Sequence, residues 1–238
     1  MKNNMRLKIS LGINIVLCAA LIFMLCNSSF AEIFSGSLKT TYKIQYEERN
    51  SLFEHVPTTH ADVVFLGDSL TQNGLWDELF PDVSLVNRGI RGDTTSGVLK
   101  RLDNVIKLQP KKLFLMVGIN DLHSGLDKER ILSNYKKIVD TIKDRLPETK
   151  IYLESILPIQ ENKHRIKNKD VDDLNLGIRK LADSSNITYI DINSKLKADN
   201  NELESKYTVD GEHLKGNAYM IWVNIIKRYI YGGESYVI

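Results

Sequence analysis

The chain has 238 residues, of which 42% are hydrophobic and 26% charged, a balance that excludes a disordered or fibrous protein and suits one globular domain. Its formal charge of +2 includes three basic and no acidic residues within residues 1–31, so the remainder is near −1 (+2 minus 3). That remainder has no basic run or stripe, which argues against a nucleic-acid partner.

The first segment, residues 1–31, has the pattern of a signal peptide or an N-terminal membrane anchor. Lys2, Arg6 and Lys8 precede a mostly apolar run at residues 9–26, and small residues that suit a cleavage site follow it. An uncleaved anchor is the alternative, because about 18 apolar residues can just span a bilayer. The positive charges hold the N-terminus in the cytoplasm in either case. We therefore expect an exported domain that is periplasmic, extracellular or anchored to the outer face of the inner membrane.

Cysteine chemistry is excluded from the exported part of the chain. Cys18 and Cys26 are the only cysteines, and both lie in the apolar leader. The remainder therefore has no disulfide, no thiol nucleophile and no thiolate metal site. We also expect no metal site and no cofactor, because no two histidines are spaced four residues apart, as in a helical metal site.

A polar helical lead-in at residues 32–60 precedes the domain that we place at residues 61–238. Residues 42–53 are expected to form a helix, since aromatic side chains recur there at helical spacing among charges. Farther on, short apolar runs predict five strands, and amphipathic segments between them predict helices. The predicted strands are 63–66, 84–86, 113–117, 151–153 and 187–190, and the predicted helices are 95–108, 128–146, 171–184 and 217–231.

The alternation predicts an α/β fold, namely a doubly wound five-stranded parallel sheet with helices on both faces. The apolar runs are continuous, as in strands that are buried on both sides. In such sheets the functional groups lie beyond the carboxyl ends of the strands, where the strand order reverses. The residues that follow the strands are therefore the candidates for chemistry.

Four motifs lie at predicted strand ends or just before a helix. They read Gly-Asp-Ser-Leu at 67–70, Arg-Gly-Asp-Thr-Thr at 91–95, Gly-Ile-Asn-Asp at 118–121 and Asp-Gly-Glu-His at 210–213. A serine hydroxyl needs a base such as imidazole to become a nucleophile, and a carboxylate orients that imidazole. Asp210 and His213 are close enough in sequence to meet within one turn of chain. Ser69, His213 and Asp210 are therefore the candidate catalytic residues.

Other residues in these motifs suit the oxyanion that forms during acyl transfer, which needs preorganised donors. The candidates are the main-chain N–H groups of Ser69 and Gly92 and the side-chain amide of Asn120, which could instead be only a turn former. Gly92 has no side chain to block the approach of substrate. Arg91 is a candidate contact for an anionic substrate or else a surface charge. Trp76 is a candidate wall of an acyl pocket or else a core residue.

With these four motifs in order, the chain resembles the SGNH (or GDSL) hydrolase superfamily over residues 62–229. Residues 87–102 are similar to the catalytic subunits of intracellular platelet-activating-factor acetylhydrolase and to bacterial acetylesterases. The resemblance implies a flavodoxin-like sheet and hydrolysis of esters or thioesters without a metal. Two positions depart from the family pattern: many relatives have an apolar residue where Glu212 lies, and often a glycine where Ala218 lies.

The motifs and the resemblance predict a serine esterase that removes short acyl groups, acetyl first of all, by way of an acyl-enzyme. The expected export and the similarity of the second motif to acetylesterases favour a carbohydrate as the alcohol part of the ester. A lysophospholipase or thioesterase acting on lipid is the alternative, although the sequence has no long lid segment. A catalytically inactive glycan-binding module would lack a catalytic position, and none is missing. A nucleotide binder would need a Gly-rich loop after the first strand, where Asp68 lies.

Overall fold

The computed structural model describes residues 13–23, 28–182 and 185–232. The predicted leader therefore lies partly outside the described residues, at 1–12 and 24–27. Residues 13–23 form helix α1, and α2 spans Ser28–His55, which includes the helix predicted at 42–53. In these described ranges, no helix combines the length and apolar character needed to cross a membrane.

The chain divides into two compact units, Met1–Ile44 and Gln45–Ile238. The second unit begins within the segment that the sequence assigned to a lead-in. Residues of α2 from Gln45 onward contribute to that unit, because Phe53 is buried and the Tyr46 hydroxyl donates to the Gly97 carbonyl at 2.9 Å.

One sheet of five parallel strands forms the centre of the second unit, in the order β2-β1-β3-β4-β5. The chain runs from β1 to the edge strand β2 and then crosses to β3 on the other side of β1. This reversal of strand order confirms the doubly wound fold, and it lies between β1 and β3. The strands are β1 (Val63–Gly67), β2 (Leu85–Gly89), β3 (Lys112–Met116), β4 (Lys150–Glu154) and β5 (Ile187–Ile190).

Helices cover both faces of the sheet, as predicted. The segment predicted as one helix at 95–108 is instead two short helices, because the Arg101 side chain turns into the core and its backbone ends the first of them. The helix predicted at 171–184 begins earlier and ends at Arg179. The helices are α3 (Ser69–Asn73), α4 (Trp76–Leu79), α5 (Thr95–Lys100), α6 (Asp103–Ile106), α7 (Ile119–His123), α8 (Lys128–Arg145), α9 (Asn168–Arg179) and α10 (Gly216–Tyr231).

The side chains of β1 alternate between two hydrophobic cores, as the pleat of a strand requires. Leu66 faces the core formed with α5, α6, α8 and α9. Phe65 faces the core formed with α4 and α10, where its ring stacks on Trp76 with the centroids 4.2 Å apart. Trp222 of α10 meets Trp76 edge-on at 5.0 Å. Both cores hold β1 firmly, so the residues that follow it occupy fixed positions.

Candidate active site

Ser69 is the first residue of α3 and follows β1 after a single intervening residue, Asp68. The Asp68 side chain caps this helix by accepting the Leu70 N–H at 3.0 Å. Burial raises the pKa of the Asp68 carboxyl to about 8, against the smaller opposing effect of that hydrogen bond. Asp68 therefore shapes the turn that presents Ser69 at the end of β1.

The last motif brings an imidazole and a carboxylate to Ser69. His213 Nε2 lies 3.0 Å from Ser69 Oγ, and His213 Nδ1 lies 2.7 Å from Asp210 Oδ2. The other oxygen of Asp210 accepts the main-chain N–H groups of Glu212 at 3.0 Å and His213 at 2.8 Å. Burial opposes ionisation of Asp210, but these hydrogen bonds outweigh it and hold its pKa well below the ordinary value. The arrangement leaves Nε2 available to accept the serine proton.

Asn120 joins the second and third motifs. Its side-chain amide donates to the main-chain carbonyl of Asp93 at 2.9 Å. An amide group carries two hydrogens, so one of them remains available for another acceptor. Gly92 has a φ angle of +76° and Gly118 has a φ angle of +131°, values that residues other than glycine rarely adopt. Both glycines are therefore needed for the turns that surround Asn120.

Arg101 is a residue of this site that the sequence reasoning missed. Its side chain is fully buried, and its Nε donates to Asp93 Oδ2 at 2.8 Å. Nη1 donates to the Arg88 carbonyl at 2.8 Å, and Nη2 donates to the Gly67 carbonyl at 3.1 Å. Burial raises the pKa of Asp93, and the Arg101 guanidinium counteracts part of that effect. One side chain thus ties the ends of β1 and β2 to the second motif.

A second buried network holds the start of α5 to the third motif. Asp121 accepts the Thr95 main-chain N–H at 2.9 Å and the Thr95 hydroxyl at 2.6 Å. Asn134 of α8 donates to the same hydroxyl oxygen at 2.9 Å. The loop that carries Gly92 is therefore fixed at both ends, by Arg101 and by Asp121.

The two candidate substrate contacts lie in different surroundings. Arg91 is at the site, because its Nη1 lies 3.5 Å from His213 Nε2 and its Nη2 donates to Asn73 Oδ1 at 3.5 Å. Trp76 has no exposed surface, which corrects its interpretation as the wall of an acyl pocket. The physical reason is that α4 packs this indole flat against Phe65, inside the core.

Two grooves adjoin this region. Arg91 lines the first groove. The second groove is lined by Asn73, which contacts Arg91, and by Leu214, which follows His213. The first has a volume of about 250 Å³, and all but one of its lining residues have polar side chains: Gln45, Glu48, Arg49, Leu52, Gln72 and Arg91. The second has a volume of about 480 Å³ and is mostly apolar, and its lining residues are Asn73, Leu75, Glu78, Leu79, Leu214, Gly216, Tyr219 and Met220.

Glu212, which departs from the family pattern, lies between two histidines. Its Oε2 is 2.7 Å from His123 Nε2 and 3.6 Å from His164 Nδ1. Burial opposes ionisation of Glu212, but the His123 hydrogen bond and the nearby imidazoles hold its pKa below the ordinary value. The spacing of histidines along the sequence predicts no metal site, yet the fold brings His123, at the end of α7, close to His164, which follows β4.

Comparisons with known proteins show the family and the fold of this chain. The model of the GDSL-like lipase/acylhydrolase family matches residues 65–221, a range that includes all four motifs. Platelet-activating factor acetylhydrolase IB subunit alpha2 of Rattus norvegicus is 34% identical over 167 residues, 66% of this chain and 71% of that protein. A GDSL-like lipase structure from Bacteroides thetaiotaomicron is 26% identical with a TM-score of 0.65, covering 80% of this chain and 97% of its own. An acetylxylan esterase structure from Geobacillus stearothermophilus, 20% identical with a TM-score of 0.59, covers 73% of this chain and 96% of its own, and shares the fold.

Proposed function

Since this chain belongs to the GDSL-like lipase/acylhydrolase family and is a carboxylic ester hydrolase, we propose that it removes short acyl groups, acetyl first, from carbohydrate esters. The observation that carries the proposal is the chain of contacts from Ser69 Oγ to His213 Nε2 at 3.0 Å and from His213 Nδ1 to Asp210 at 2.7 Å. We further propose that the domain acts outside the cytoplasm, on the strength of the leader-like residues 1–31.

The proposed reaction has two steps. Ser69 Oγ attacks the ester carbonyl carbon while His213 Nε2 takes the hydroxyl proton, and Asp210 stabilises the imidazolium that forms. The bond from the carbonyl carbon to the alcohol oxygen then breaks, and His213 gives its proton to the departing alcohol. Water, deprotonated by His213, attacks the acyl-enzyme. The carboxylic acid leaves, and the Ser69 hydroxyl recovers its proton from His213.

The oxyanion of each step is held, in this proposal, by the main-chain N–H groups of Ser69 and Gly92 and the free amide hydrogen of Asn120. We expect Asn120→Ala to lower kcat by about a hundred- to a thousandfold, the range for one lost oxyanion donor. KM should change little, because this interaction strengthens mainly in the transition state. Measuring kcat, KM and melting temperature on one preparation tests this.

The matched control for this variant is Ser124→Ala, which removes a hydroxyl that donates to the Asn120 main-chain carbonyl at 2.8 Å. It perturbs the turn and leaves the amide in place, so turnover should stay near that of the unaltered enzyme. An Asn120→Ala protein that melts earlier and keeps full turnover would make Asn120 only a turn former that holds Asp93.

The choice of acyl group and alcohol rests on separate observations. The 34% identical relatives are acetylhydrolases by name, which supports a short acyl group. The polar groove that Arg91 lines offers amide, carboxylate and guanidinium groups suited to the hydroxyls of a sugar. A lipid acyl ester is the second candidate, favoured by the larger apolar groove that begins beside His213.

A series of p-nitrophenyl esters from acetate to palmitate separates the two substrates. We expect kcat/KM to fall as the acyl chain lengthens, and acetylated oligosaccharides to be deacetylated. Leu75→Asp places a charge at the exposed rim of the apolar groove, so it should leave acetate turnover unchanged. A palmitate ester that reacts faster than acetate, and that Leu75→Asp slows selectively, would establish the lipid alternative.

A further inference from the structure

Three side chains with metal-binding atoms meet next to the proposed catalytic residues. They are His123 at the end of α7, His164 in the connection after β4, and Glu212 in the last motif. One ligand atom from each lies within 4.8 Å of the other two. The three residues come from three separate connections, so their meeting is a property of the fold and not of any one segment.

The donor set suits a transition metal better than Mg²⁺ or Ca²⁺. Imidazole nitrogens and one carboxylate are ligands that zinc favours, whereas the hard ions prefer oxygen ligands. Zinc–ligand bonds of about 2.0–2.1 Å place tetrahedral ligand atoms about 3.3 Å apart. The His164–Glu212 separation of 3.6 Å is already close to that value, and the His123–Glu212 separation of 2.7 Å needs a small opening.

The surroundings also differ from those of an ordinary surface ion pair. The side chain of Glu212 is 10% exposed and that of His164 is 18% exposed, so both are largely removed from water. His164 faces Glu212 with its Nδ1, and its other nitrogen, Nε2, is buried without a hydrogen-bond partner in the described part of the chain. His123 remains 29% exposed, which leaves an entry path and room for a water ligand.

We propose that His123, His164 and Glu212 bind one divalent metal ion of the zinc class, with water completing its coordination. The ion has a structural role: it links the end of α7 and the connection after β4 to the segment that carries His213. It does not touch the reacting atoms, because His213 contacts Ser69 and Asp210 while Glu212 contacts the two other histidines. Ester hydrolysis by the triad therefore proceeds without the ion.

Calorimetric titration of the purified, chelator-treated full chain with Zn²⁺ tests the site. We expect one saturable site per chain and a rise in melting temperature with Zn²⁺ that Mg²⁺ does not produce. His164→Ala and Glu212→Gln should each weaken zinc binding about a hundredfold or more, since even groups that only orient metal ligands contribute ten- to hundredfold. Co²⁺ in place of Zn²⁺ should give a visible absorption band that is lost in both variants.

The matched control is His60→Ala, which removes an exposed histidine that also pairs with a carboxylate, Asp62, at 3.4 Å. This variant should bind Zn²⁺ as the unaltered chain does, and so should Ser69→Ala, since zinc binding is independent of the esterase reaction. The absence of saturable binding would overturn the proposal, as would equal affinity in His164→Ala. If Glu212→Gln does not fold, His123→Ala tests the same prediction, because the His123 side chain is more exposed than that of Glu212.

Discussion

Ser69→Ala is expected to lower turnover of p-nitrophenyl acetate at least about a thousandfold while the protein folds normally. The substitution removes only the hydroxyl group, whose described contact is His213 Nε2 at 3.0 Å. The turn around it is fixed by other groups, namely the Asp68 cap on α3 and the packing of β1. Turnover measured together with the circular dichroism spectrum and the melting temperature separates lost chemistry from lost structure.

Two measurements sharpen this result. Ser84→Ala removes an exposed hydroxyl just before β2 and should leave turnover unchanged. A fluorophosphonate reagent should add one adduct to the unaltered chain and to Ser84→Ala, and none to Ser69→Ala. Full esterase activity in Ser69→Ala would show that another group is the nucleophile, and the proposed mechanism would fail with it.

The architecture could be predicted because it depends on local patterns. Each strand contains a short apolar run that is visible in the sequence, and β5 at Ile187–Ile190 has the predicted bounds. The four motifs follow strands or precede helices, and parallel strands bring their carboxyl ends to one edge. This is why Ser69, Asn120 and His213 could be assigned to one candidate site from the sequence.

The parts that escaped prediction depend on contacts between distant segments. Arg101 lies within the amphipathic segment at 95–108, and no pattern there distinguishes it from an exposed helical residue. The three groups that draw its side chain inward include the carbonyls of Gly67 and Arg88, which carry no sequence signal. The pairing of His123 and His164 around Glu212 has the same origin, since 41 positions separate the histidines (164 minus 123) and only the fold brings them together.

The position of Trp76 could not be predicted for a different reason, because an aromatic residue near a catalytic motif can line a pocket or lie in the hydrophobic core. Its place is decided by Phe65, whose ring it covers, and by Trp222, which arrives from the far end of the chain. The groove beside the site is lined instead by Leu75 and Met220, which are exposed. No periodicity in the sequence distinguishes Leu75 from Trp76, which adjoin each other.

Arg101→Met is expected to destabilise the protein by about 3–5 kcal/mol, the cost of removing one partner from a buried ion pair. Methionine retains the apolar stem, but it leaves the Asp93 carboxylate buried without its counter-ion. The carbonyls of Gly67 and Arg88 also lose the hydrogen bonds that Arg101 donates. Urea unfolding at neutral pH, followed by circular dichroism, measures the change in the free energy of unfolding.

Arg145→Met is the matched control, because Arg145 pairs with Asp103 at the surface and such pairs contribute at most about 1 kcal/mol. A double variant, Arg101→Met with Asp93→Asn, should recover part of the lost stability, since it removes the unpaired buried charge. Recovery of stability without recovery of turnover would show that Arg101 also positions the loop that carries Gly92. A loss in Arg101→Met no larger than that in Arg145→Met would mean that the packing of β1 and β2 alone holds the ends of these strands.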